Sequence, residues 1–176
     1  MSLRILRKDC GFVVEVIEDV FATGIYPGDY NLVTGDTTKD PEAEWIYQNL
    51  KGKNWKQLLH ELENLEGGDL YRYHIVYSFT TPDAYCYYLP AYLIVSLDFE
   101  RVDTVGDYLL SSLTPPTEQV LVSRKGFFTE RLERLTQPQR EAIGLFLNYL
   151  SSEVDIKPAT IYFWKQFVHI ENLKPN

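Results

Sequence analysis

Thr81-Pro82-Asp83-Ala84-Tyr85-Cys86-Tyr87-Tyr88-Leu89-Pro90-Ala91-Tyr92-Leu93-Ile94-Val95 is the stretch that decides the fold. It opens as a helix start. A threonine oxygen can cap the first turn, Pro82 presets φ, and Asp83 complements the positive helix end. Beyond it, Tyr85, Tyr88, Leu89, Tyr92 and Leu93 fall on one stripe, and Ala84, Tyr87, Ala91 and Val95 on another. A helix that is apolar nearly all round leaves no face for water, so other helices must enclose it. Pro90 removes the backbone bond to Cys86, and a kink or break is expected there.

Upstream, residues 12–21 carry Phe12, Val13, Val16, Ile17, Val20 and Phe21 at helical spacing, with Glu15, Glu18 and Asp19 opposite. Residues 22–39, with Gly24, Pro27, Gly28, Asp29 and Gly35, read as a long connection. Asp40-Pro41 opens a second helix that ends near Lys51-Gly52. A third starts near Asn54, buries Trp55, Leu58, Leu59, Leu62 and Leu65, and is expected to stop at Gly67-Gly68. Residues 70–79 alternate, with Tyr71, Tyr73, Ile75, Tyr77 and Phe79 on one side. The alternation predicts a small β element. No partner strand is evident, so the segment must pair somewhere or be helical or irregular instead.

Downstream, Asp103–Leu113 reads as a helix with Val105, Tyr108, Leu109 and Leu113 aligned, ended by Pro115-Pro116. Residues 117–135 are ambiguous. Thr136-Gln137-Pro138-Gln139 fits a capping box before Ala142, Ile143, Phe146, Leu147 and Leu150. A last helix begins near Pro158 and carries Ile161, Trp164 and Val168. The expectation is a mainly α fold, one compact helical domain over residues 1–176, with at most one β element near residues 70–79.

The 176 residues suffice for a core without disulfide or metal, and 45% of them are apolar. Thirteen tyrosines and nine phenylalanines against one methionine predict a well-defined aromatic core. A net charge of −8 argues against nucleic acid and anionic membranes and suits a basic protein partner. No membrane-spanning stretch or signal peptide is read. Cys10 and Cys86, far apart, suggest free thiols and a cytoplasmic setting.

Chemistry finds little footing. His60-Glu61 begins a zinc-protease pattern, but Asn64 stands where the second histidine is needed. His169 and Glu171 have a chance spacing, and His74 stands alone. Cys86 lies among aromatics on an apolar helix, where a thiol is a small hydrophobe. Phosphate-binding and esterase motifs are missing, so no catalytic residue, cofactor or metal is assigned. Asp29, Asp36, Asp40, Glu42 and Glu44 gather around the long connection, without the spacing of an EF-hand.

Four stretches together resemble a family of uncharacterised bacterial proteins, a domain of unknown function. They are the first helix running into Ile25-Tyr26-Pro27-Gly28-Asp29; Gly52-Lys53-Asn54-Trp55; Thr81–Tyr85 running into Tyr87-Tyr88-Leu89-Pro90-Ala91-Tyr92-Leu93; and Leu135-Thr136 with Gln139 and the helix after it. The resemblance implies a bacterial cytoplasmic protein and brings no activity with it.

The leading expectation is therefore a non-enzymatic, protein-binding protein, immunity-like or regulatory. Seven of the thirteen tyrosines lie between Tyr71 and Tyr92, and Tyr71, Tyr73, Tyr77 and Tyr87 are the candidate partner surface. The alternatives are an enzyme using carboxylates such as Asp29, Asp36 or Glu61, and a structural homodimer subunit.

Overall fold

A computed structural model describes residues 10–98, 105–117 and 122–168. The chain begins with α1 (Gly11–Phe21), a 3-10 turn at Asp29–Asn31, α2 (Pro41–Leu50) and α3 (Trp55–Asn64). Next come α4 (Gly67–Arg72), a 3-10 turn at Tyr73–Ile75, and α5 (Val76–Phe79). The rest is α6 (Pro82–Val95), α7 (Asp107–Leu113), α8 (Val122–Arg134), α9 (Gln137–Leu150) and α10 (Pro158–Lys165).

Helix α6 is the centre. Tyr88, Leu89, Tyr92 and Leu93 are buried on one stripe, and Ala84, Ala91 and Val95 on another. Around it pack α1, α3 and α8, while α9 lies against α1 and α10. The helix runs on through Pro90 to Val95 instead of breaking there. Its start is tied to the long connection. The Thr81 hydroxyl accepts from the Ala84 N–H at 3.1 Å and donates to the Asn31 carbonyl at 2.7 Å. Backbone bonds from Thr81 to Leu32 and from Thr34 to Phe79 add to this, so the connection is held against the α6 entrance.

The expected helix starts are present. Asp40 accepts from the N–H groups of Glu42 and Ala43, and Asn54 and Thr136 each form a full capping box. Residues 117–135, ambiguous by pattern, include the thirteen-residue α8. That helix is polar, and its anchor is a cation. Arg131 is buried with its guanidinium 3.8 Å from the Tyr85 ring centroid and 4.2 Å from that of Phe127. It donates to the Tyr77 carbonyl at the end of α5, where a positive charge opposes the helix dipole.

The β element expected near residues 70–79 is not formed. The segment is α4, a 3-10 turn and α5, with Leu70, Tyr73, Val76 and Tyr77 buried. Those four follow helical spacing, which lets the backbone satisfy itself locally where no strand is available to pair. Only an isolated bridge between Val33 and Thr80 occurs nearby. Gly67-Gly68 also differs from expectation. The preceding helix ends at Asn64, and Gly67, at φ +52°, begins α4. Val105, just before α7, and Leu109 and Leu113 within it are buried as expected, but Tyr108 turns outward. Asp103, His169 and Glu171 lie outside the described residues.

Candidate functional site

Three of the four stretches that carry the family resemblance meet around the middle of α6. Tyr88 is fully buried, and its hydroxyl lies 2.8 Å from the Leu50 carbonyl and 2.9 Å from that of Lys53. It thereby holds the turn between α2 and α3, where Gly52 adopts φ +68°. From the outside, the Gly52 N–H reaches the Tyr26 hydroxyl at 2.9 Å and Asp29 at 3.2 Å, and Tyr26 donates to Asp29. Tyr87 meets both Tyr26 and Tyr88 edge-on, with centroids 5.6 and 5.0 Å apart. Burial pushes the Tyr88 hydroxyl well above the ordinary phenol value. The node is built from satisfied hydrogen bonds and ring contacts, which is the construction of a scaffold.

The four candidate tyrosines are not brought together. Tyr73 and Tyr77 are buried, Tyr87 belongs to the node just described, and Tyr71 is exposed on α4. Tyr71 has other company. Its hydroxyl lies 3.0 Å from that of Tyr108 on α7, and the His74 ring sits against both, with centroids 4.4 and 4.3 Å away. His74 Nδ1 is 2.6 Å from the Tyr71 carbonyl, which can only accept, so Nδ1 carries the proton. Hydrogen bonding to Tyr71 raises the Tyr108 phenol above its ordinary value. Beside this trio the Arg72 guanidinium lies 4.8 Å over the Trp45 ring, which meets Tyr73 edge-on.

Tyr71 is 43% exposed and Tyr108 38%, so this is a solvent-facing aromatic array whose members already fix one another. Sequence reading found Tyr71 but missed His74 and Tyr108. Histidine and tyrosine three residues apart at 71 and 74 was the available signal. Tyr108, 37 residues further on from Tyr71, could be joined to them only by the fold.

The candidate carboxylates stand apart from one another. Asp29 serves the Gly52 turn. Asp36 accepts from Thr38 and pairs with Lys39 at 2.9 Å, and the Thr38 bond holds its pKa below the usual range. Glu61 pairs with Lys53 at 2.7 Å. These last two, with Asn54, Lys56, Gln57 and His60, line a wide, open depression on α3. Among the described residues no group of three or more His, Cys, Asp or Glu side chains gathers to hold a metal. Burial raises the Cys86 thiol to about 12, far from a reactive thiolate. No helix among the described residues is long and apolar enough to cross a membrane.

No curated protein and no solved structure matches the chain. A family model does match, over residues 13–167, and by that match the chain belongs to the family described as Family of unknown function (DUF6714).

Proposed function

We propose that this protein works by binding another protein through the face formed by Tyr71, His74 and Tyr108. The observation that carries the reading is the geometry of that trio. Two exposed tyrosines on different helices share a hydrogen bond, and an imidazole packs tilted against both rings. Aromatic side chains fixed before binding lose little entropy on contact, and tyrosine is enriched where partners meet. The separation of Asp29, Asp36 and Glu61 into local structural bonds favours this reading over catalysis. A cytoplasmic bacterial setting is part of the same proposal, supported by Cys10 and Cys86 sharing no disulfide.

Site-specific photo-crosslinking in the native cell tests it. A benzophenone amino acid at position 71 should capture one discrete protein, and the same group at Tyr162, exposed on α10, should not. Equal labelling from both positions, or none from position 71, would remove the support for this face. Capture of a second copy of the chain would select the homodimer reading instead.

A further inference from the structure

Building on that reading, we infer that the occupant of the Tyr71–His74–Tyr108 face is a basic protein segment whose arginine or lysine side chains stack on the exposed tyrosine rings. Charge and geometry both point there. The elements that pack together here are α2, α4, the 73–79 segment and α7. Within their bounds they carry four carboxylates, Glu42, Glu44, Asp69 and Asp107, against one lysine or arginine, Arg72. Asp69 and Asp107 belong to the two helices that present Tyr71 and Tyr108, and neither makes an ion pair among the described residues. The one lysine or arginine within these elements, Arg72, rests over the Trp45 ring.

A guanidinium approaching Tyr71 or Tyr108 therefore meets a π face on helices that also carry Asp69 and Asp107, the combination that favours cations over neutral or acidic groups. An acidic segment would meet repulsion from the same carboxylates, which makes the surface selective as well as attractive. The net charge of −8 would steer a basic partner from a distance.

The full chain, labelled for NMR, can be titrated with three peptides of equal length: alternating arginine and glycine, glutamate and glycine, and leucine and serine. The arginine peptide should shift the Tyr71, His74 and Tyr108 resonances saturably, and the glutamate peptide should not. Asp69→Asn with Asp107→Asn should weaken the arginine peptide about three- to tenfold at an unchanged denaturation midpoint. Tyr71→Phe should retain binding and Tyr71→Ala should lose it, because the ring face is what the cation contacts. The inference is overturned if the leucine peptide shifts this face and the arginine peptide does not. It is equally overturned if arginine binding is indifferent to the Asp69 and Asp107 changes, or if no peptide shifts the face. A specific cross-link from position 71 would then stand with a partner of different chemistry, so the two proposals fail separately.

Discussion

Tyr88→Phe isolates one hydroxyl at the place where three of the four family stretches meet. The ring stays, so apolar burial and packing are unchanged. What is lost is the donor facing the Leu50 and Lys53 carbonyls at 2.8 and 2.9 Å. Leu50 keeps a second donor, the Lys53 N–H at 3.1 Å, so Lys53 bears most of the loss. Leaving a buried acceptor unpaired costs roughly 1–3 kcal/mol, and we expect about 2 kcal/mol here. In a domain of this length that is a fall of about 4–8 °C in Tm. Urea denaturation should show a lower midpoint with an unchanged slope, since the surface exposed on unfolding is the same. Tyr26→Phe provides the contrast. The Gly52 N–H retains Asp29 at 3.2 Å and the site is more exposed, so the cost should be under about 1 kcal/mol. If Tyr88→Phe costs less than about 0.5 kcal/mol, α6 does not hold the turn between α2 and α3 through this hydroxyl.

Three further outcomes follow from the packing. Gly144→Ala should destabilise by about 1–3 kcal/mol in a thermal melt, because its Cβ would sit 2.5 Å from Val168 and 3.0 Å from the Trp164 carbonyl. Arg131→Lys should cost about 1.5–3 kcal/mol, because an ammonium cannot lie flat between the Tyr85 and Phe127 rings; an unchanged denaturation midpoint would refute the clamp. Burial raises Tyr77, Tyr85 and Tyr92 above the ordinary phenol value and holds Tyr73 at about 12. A phenol bound more tightly to its proton when folded contributes stability that is complete below about pH 10 and is lost as pH rises through the folded value. Absorbance at the phenolate band should therefore show part of the tyrosines ionising only together with unfolding, and a single reversible titration of all of them would contradict this.

Much of the architecture was legible because local signals and global packing agree. Thr81-Pro82-Asp83 marks the start of α6, and its two apolar stripes are buried apart from the half-buried Tyr87. Asp40, Asn54 and Thr136 cap where their side chains predict. The failures have physical causes. Tyr71, Tyr73, Ile75, Tyr77 and Phe79 alternate, but Leu70, Tyr73, Val76 and Tyr77 also fit a helical spacing, and without a partner strand only that choice satisfies the backbone. Helix α8 escaped because polarity argues against burial, whereas its key residue, Arg131, is a buried cation between two rings. Tyr108 was read as core from its neighbours Val105, Leu109 and Leu113, yet it faces outward to meet Tyr71. Of the proposed binding face, then, one residue was readable from sequence, and its companions needed the fold.

The central claim is that the Tyr71–His74–Tyr108 face binds and the Tyr88 node supports. Its most direct test is the affinity of the partner captured from position 71 for wild-type protein, Tyr71→Ala and Tyr108→Ala, with each variant's denaturation midpoint measured in parallel. The account predicts that each substitution weakens binding by at least about 2 kcal/mol while stability stays within about 0.5 kcal/mol of wild type. Unchanged affinity, or a loss of affinity that only tracks a loss of stability, would contradict it.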